Sequence, residues 1–176
     1  MPLPKRLLAL EIRASRLGFA AIEMPARLLD WGVRSLGEPH AQLRSVVSDR
    51  IATLLVFHRP QTVVVRARKY RSRVQNARFL AIVAAVRVET RRHSAKFRII
   101  TSAQVKNCFA SNGKVPKHAI AKKLADQFEE LSWKLPGRRK PYQSEAPAML
   151  VFDALANGVT FATRKTRSTS DAPRKP

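Results

Sequence analysis

The first fifth of the chain carries its hydrophobic residues in three short runs with polar or proline breaks between them: LLALEI at 7–12, GFAAIEM at 18–24 and RLLDWGVRSL at 27–36. The first is dense in Leu and Ile, as a central strand is. The second meets Pro25, which has no place in a helix interior. The third alternates less cleanly, but Trp31 and Val33 suit a strand. Three consecutive strands joined by short breaks predict an antiparallel meander. One residue stands out in it, the carboxylate Glu11 near the end of an otherwise apolar strand.

The period then changes. Leu43, Val47, Ile51 and Leu54 recur at helical spacing between residues 40 and 57, with Arg44, Ser48 and Arg50 off that face, and Pro60 stops the segment. TVVV at 62–65 has no polar interruption until Arg66, the pattern of a buried parallel strand. Residues 73–93 are again helical, with Val74, Ala77, Ala81, Ala84 and Val88 expected as a narrow face against the sheet. Phe97–Thr101 predicts a fifth strand, SNGKVP a loop, and residues 116–131 a helix with Ile120, Leu124, Phe128 and Leu131 on one face and Pro116 near its first turn. KLPGRRKPYQS is a basic loop. A last helix is expected over 144–163, with Ser144 as its N-cap and Glu145 in its first turn. The segment 163–176 has too little apolar content to fold and is expected to be a disordered basic tail. The order β-β-β-α-β-α-β-α-α, without internal repeats, predicts one α/β domain over 1–162 with a mixed five-stranded sheet, meander first and parallel strands after.

Charge adds a partner to this picture. Lys and Arg number 34 against 12 Asp and Glu, a net charge of +22 in 176 residues. So basic a domain repels itself, and the usual compensating partner is nucleic acid. An anionic membrane surface is the weaker rival, because no long basic amphipathic helix stands out. No run reaches membrane-spanning length and no signal peptide is evident, so a cytoplasmic location is expected. The lone Cys108 excludes an internal disulfide and reads as a half-buried apolar residue. His40, His58, His93 and His118 lack ligand spacing and read as surface residues. No Gly-rich phosphate loop and no Ser/His/Asp or Cys/His arrangement is present.

The basic residues are clustered. RARKYRSR, immediately after the fourth strand, holds Arg66, Arg68, Lys69, Arg71 and Arg73 around Tyr70. Arginines clamp phosphates and a tyrosine can stack on a base, so nucleic-acid contact is favoured there over a merely solvated loop. RRHSAKFR is a weaker cluster, as is PGRRKPY with Arg138, Arg139 and Lys140.

The order of elements and a few residues together resemble RuvC-type Holliday-junction resolvases of the ribonuclease H-like superfamily. Members open with a strand, an Asp and a Gly seven residues on; Glu11 and Gly18 stand in those places. They close with a helix carrying an acid followed by ALA, and FDALANGV supplies Asp153. FLAIVAAV and SAQVK also resemble family segments, and the likeness spans about residues 7 to 162. It implies a Mg²⁺-dependent endonuclease acting on branched DNA in recombination and repair, often as a homodimer, with Glu11 and Asp153 as catalytic metal ligands. Three positions depart from the pattern. Glu11 is one methylene longer than Asp. The acid that should end the TVVV strand is Arg66, which cannot ligate a cation. Leu150 stands where an acid or His should precede Asp153. The glycine two after the first acid is also replaced, by Arg13. Glu89 and Glu145 would substitute only in a different helix register.

Two readings of the acids therefore stand side by side: metal ligation, or Glu11 as a strand-end acid paired with an Arg and Asp153 as a partly buried acid bonded to backbone or to Arg66. A salt bridge from Arg66 would replace a lost metal by neutralising the same charge. The first functional expectation is accordingly a RuvC-like domain binding branched or double-stranded nucleic acid, more readily DNA, with impaired catalysis. The alternatives are an active Mg²⁺-dependent resolvase and a basic structural subunit of a nucleoprotein assembly.

Overall fold

The computed structural model describes residues 5–170 apart from Ala14, 38–41, 111–113, Arg139, Pro141 and Gln143. The three apolar runs form β1 (Arg6–Ile12), β2 (Arg16–Glu23) and β3 (Arg27–Ser35), paired antiparallel as the spacing predicts. After helix α1 (Leu43–His58), strand β4 (Thr62–Arg66) pairs parallel to β1; after α2 (Arg73–Arg92), β5 (Lys96–Ile100) pairs parallel to β4. The sheet order is β3-β2-β1-β4-β5, which puts β1 at the centre. Three helices follow: α3 (Ser102–Phe109), α4 (Lys117–Gln127) with a 3₁₀ turn at Glu129–Lys134, and α5 (Met149–Ser170).

Strand alternation divides the core between the two faces of the sheet. Leu8, Leu10 and Ile12 of β1 join Val63 and Val65 of β4 under α1 and α2. Leu7 and Ala9 of β1 join Val64 of β4 under α3, α4 and α5. The same period carries Glu11 and Arg66 onto the α5 face, at the C-terminal ends of two adjacent parallel strands. Their paired positions end one residue earlier, at Leu10 and Val65. That end of a parallel sheet is where α/β folds gather ligands.

α5 lies close to β1 and β2 because small residues let it. A Cβ on Gly18 would stand 2.4 Å from the Leu150 carbonyl oxygen, and one on Gly158 would stand 2.4 Å from Ile22 Cδ1. Gly18 is also the register partner of Glu11. The glycine of β2 thus seats the first turn of α5 against the sheet and brings Asp153 over Glu11.

Several expectations are corrected. The buried face of α2 is Phe79, Ile82, Val83 and Val86, while Val74, Ala77, Ala81, Ala84 and Val88 face outward. The bulky residues win because burial rewards area, and small residues at the same spacing have little to bury. α3 is an element the pattern did not predict; Thr101 and Gln104 close a reciprocal capping box at its start. α5 begins at Met149, so Ser144 does not cap it and Glu145 lies outside its first turn. α5 runs on to Ser170, through the first part of the segment expected to be a structureless tail; residues 171–176 lie outside the described residues. His58 is buried, not superficial, with its Nε2 3.1 Å from Asp30 Oδ2. His40 falls outside the described residues. No helix among the described residues is long and apolar enough to cross a membrane.

Candidate nucleic-acid interface

Three carboxylates and four cations meet where β1 and β4 end under α5. Glu11 has no exposed surface. Its Oε2 lies 2.9 Å from Arg66 Nη2 and accepts from Asn157 Nδ2 at 3.1 Å. Its Oε1 accepts from Arg68 Nε at 2.6 Å, is touched by Arg68 Nη2, and lies 3.6 Å from Arg13 Nε. Asp153, one turn before Asn157 on α5, accepts from Arg13 Nη2 at 3.0 Å and pairs with Lys117 Nζ at 2.6 Å, both at Oδ2. Its Oδ1 is 3.6 Å from Arg66 Nη2. Glu145 accepts from Arg13 Nη2 at 3.0 Å and from Lys117 Nζ. Asn157 also donates to the Leu10 carbonyl at 3.0 Å, tying α5 to the end of β1.

The consequence for a metal is direct. Every oxygen of the three carboxylates lies within 3.6 Å of a guanidinium or ammonium nitrogen. Magnesium needs those oxygens free, with room for its own octahedral shell. The residues present do not fit a divalent metal pair, and among the described residues no three His, Cys, Asp or Glu side chains are grouped to hold one. The positive charge a metal would supply is supplied by the chain itself. Of the acids considered as substitutes, Glu145 joins this cluster, whereas Glu89 is buried on α2 and pairs with Arg92 at 2.7 Å.

The electrostatics follow. Burial pushes the Glu11 carboxyl up, but the charges of Arg66 and Arg68 and the Asn157 hydrogen bond outweigh it and hold it below its usual 4.5. Glu145 is likewise lowered: burial raises it, and Lys117, Arg13 and Arg68 overcome that. Arg13 is affected in the opposite sense, its burial penalty outweighed by Glu11, Asp153 and Glu145. A carboxylate with a depressed folded-state pKa stabilises the fold fully above its unfolded pKa and loses that contribution as pH falls through the folded one. Burial also holds the His58 imidazole below its usual 6.5, so stability to urea should begin to decline below about pH 6.5 as that buried neutral ring is forced to charge, and fall further below about pH 5 as the carboxylates protonate. Glu145→Gln should make the fall shallower; an unchanged acid limb would show that this carboxylate is not coupled to folding.

The remaining basic residues are distributed as follows. Lys69 and Arg71 are exposed between β4 and α2, and Arg73 is exposed at the first position of α2. Tyr70 is half-buried, its ring 5.7 Å from that of Phe79 and its hydroxyl donating to the Ile12 carbonyl, so it closes the core as well as bordering the loop. Arg66 and Arg68 turn inward to Glu11. Arg138 lines a second cleft with His118, and that cleft adjoins the acid cluster through Lys117 and Glu145. Lys140 is exposed, 6.0 Å from the centre of the Tyr142 ring. Arg139 lies outside the described residues. Arg13, Lys117 and Asn157 are members of the cluster that sequence reasoning did not assign. Arg13 had one signal, its place two residues after Glu11 on the same strand end.

No protein-family model matches the sequence, and no curated protein does. Solved structures do match. Thermus thermophilus RuvC in complex with a Holliday junction substrate aligns over 94% of this chain and 97% of its own, with a TM-score of 0.73 at 21% identity. The yeast mitochondrial Holliday junction resolvase aligns over 95% of this chain and 82% of its own, with a TM-score of 0.65 at 14% identity. The fowlpox virus Holliday junction resolvase aligns over 90% and 99%, with a TM-score of 0.56 at 8% identity. The architecture is thus the ribonuclease H-like α/β fold. Within that class it is the fold of the RuvC-type resolvases, here in a divergent sequence.

Proposed function

We propose that the chain binds branched or double-stranded DNA by shape, through backbone phosphates, and holds it without cutting it. One observation carries this reading: on a resolvase fold, every carboxylate oxygen of the central acid cluster is matched by a cation of the chain's own. The net charge of +22 and the exposed Lys69, Arg71 and Arg73 beside that centre support phosphate contact. A fold neighbour was solved with a Holliday junction substrate, which makes a branched duplex the first ligand to test. Resolvases of this fold are metal-dependent nucleases in general; this centre is proposed to have exchanged that chemistry for fixed positive charge.

Binding of a labelled four-way junction should be tighter than binding of a linear duplex of the same arms. It should weaken by about a thousandfold between about 50 and 200 mM salt. With Mg²⁺ or Mn²⁺ the junction strands should stay intact. Cleavage that disappears in Asp153→Asn would establish an active nuclease instead. No binding to any duplex or junction at low salt would end the proposal. The homodimer that the family resemblance implies predicts two chains per junction, read from the stoichiometry of the same titration.

A further inference from the structure

The chain has two tryptophans and two tyrosines, and one of each packs against the core while the other does not. Trp31 is half-buried beside the α5 face of the sheet, and Tyr70 lies against Phe79. Trp133 is 73% exposed and Tyr142 78%. Both open rings stand between α4 and α5, Trp133 in the 3₁₀ turn and Tyr142 nine positions on. Rings of this size are highly buried on average, so two of them open to water in one stretch is a feature of the surface. Each has an ammonium beside it. Lys134 Nζ is 4.7 Å from the centre of the Trp133 ring, and Lys140 Nζ is 6.0 Å from that of Tyr142. Arg138 is exposed between them, and after Glu130 no acid occurs until Glu145. On either side of Tyr142, Pro136 to Arg138 and Ser144 to Ala146 line the cleft of about 610 Å³ that reaches the acid cluster through Lys117 and Glu145.

We infer that this stretch is a platform for single-stranded DNA, on which Trp133 and Tyr142 stack with unpaired bases while Lys134, Arg138 and Lys140 meet the phosphates between them. A flat apolar ring with a cation at its side matches a base with its phosphate. Bases inside a duplex have both faces covered by their neighbours, so the rings can stack only on unpaired ones. An apolar protein partner fits less well, because lysine is depleted from the centres of protein interfaces and here borders both rings. In the setting of the proposed function, on which the placing of this strand rests, the platform takes bases left unpaired at the branch of a bound junction. The site is separate from the acid cluster and uses none of its cations.

The test uses two probes with the full chain: an oligothymidylate of about 12 nucleotides, and an abasic strand of the same length, which keeps the phosphates and lacks the bases. Wild type should bind the thymidylate tighter than the abasic strand by about tenfold or more. Trp133→Ala and Tyr142→Ala should each weaken thymidylate binding by about tenfold, toward the abasic level. Both side chains are exposed, so the variants should fold, which a melting curve checks. Phe57→Ala removes a ring as exposed as these from the end of α1 and should change thymidylate affinity by less than about twofold. Trp133→Phe should keep most of the affinity yet lose most of the quenching of indole emission on binding, since the other indole, Trp31, lies on β3. Equal wild-type affinity for the two strands, equal losses in Trp133→Ala and Phe57→Ala, or quenching that persists in Trp133→Phe would overturn the platform. Junction DNA separates this inference from the reading it rests on. Junction binding without preference for the thymidylate removes the platform and leaves that reading standing. Thymidylate binding without junction or duplex binding keeps the platform and ends that reading.

Discussion

Arg66→Ala is expected to cost about 3 kcal/mol or more of folding free energy, read as a shift of the urea midpoint at neutral pH. The substitution leaves Glu11, which has no exposed surface, with one fewer counter-charge and Asp153 with its Oδ1 unmatched. Removing one partner of a buried pair is far worse than removing both, because the survivor is left charged in a medium that solvates it poorly. Glu11→Leu combined with Arg66→Met should therefore recover much of the loss, although Arg68 would still miss its partner. Arg66→Glu should be worse than Arg66→Ala, since it places a third carboxylate against Glu11 and Asp153. Added Mg²⁺ should rescue it little while Arg13, Arg68 and Lys117 keep the oxygens. A loss below about 1 kcal/mol in Arg66→Ala would mean that Arg68 and Asn157 suffice to hold the Glu11 charge.

Gly18→Ala should be comparably damaging for a steric reason. The new methyl would stand 2.4 Å from the Leu150 carbonyl oxygen and 2.8 Å from its carbon. Both are helix backbone, so relief requires the start of α5 to lift from β2. A melting temperature lower by about 10 °C is the expected scale for an overpacking penalty near 3 kcal/mol in a chain this long. Gly137→Ala, where a methyl would meet nothing within 4 Å, is the control and should leave melting within about 2 °C of wild type. Because the lifted turn carries Asp153, the same variant should also disturb the ion-pair cluster and weaken DNA binding beyond what unfolding accounts for. Normal melting in Gly18→Ala would show that the helix has more freedom at its start than its packing indicates.

The meander was legible because each of its strands has its own hydrophobic run, and TVVV because a fully buried strand leaves nothing polar to confuse its period. The resolvase fold followed from that order. α3 was not legible: eight residues give barely two turns, and only its Thr101–Gln104 capping box marks it. In α2 the small residues and the bulky ones both repeat at helical spacing, so the period alone gave two candidate faces and the wrong one looked neater. At the site, Arg66 could be placed against Glu11 because both sit at the ends of neighbouring strands. Arg13 and Lys117 could not, because their acidic partners lie far along the chain: Glu145 and Asp153 are 132 and 140 positions from Arg13. Ion pairs of that separation leave no local pattern. What the sequence did show was an acid too long, an arginine in place of an acid, and an arginine in place of a glycine, all within reach of one point.

A divalent ion can be chelated, diluted or exchanged; a guanidinium joined to the backbone cannot. The charge state of this centre is therefore independent of metal supply, and chelators should leave the protein's stability, and the DNA binding proposed for it, where they were. The same permanence works against reversal. Opening the carboxylates would require Arg13, Arg66, Arg68 and Lys117 to be replaced together, since removing any one leaves other cations on the acids it touched.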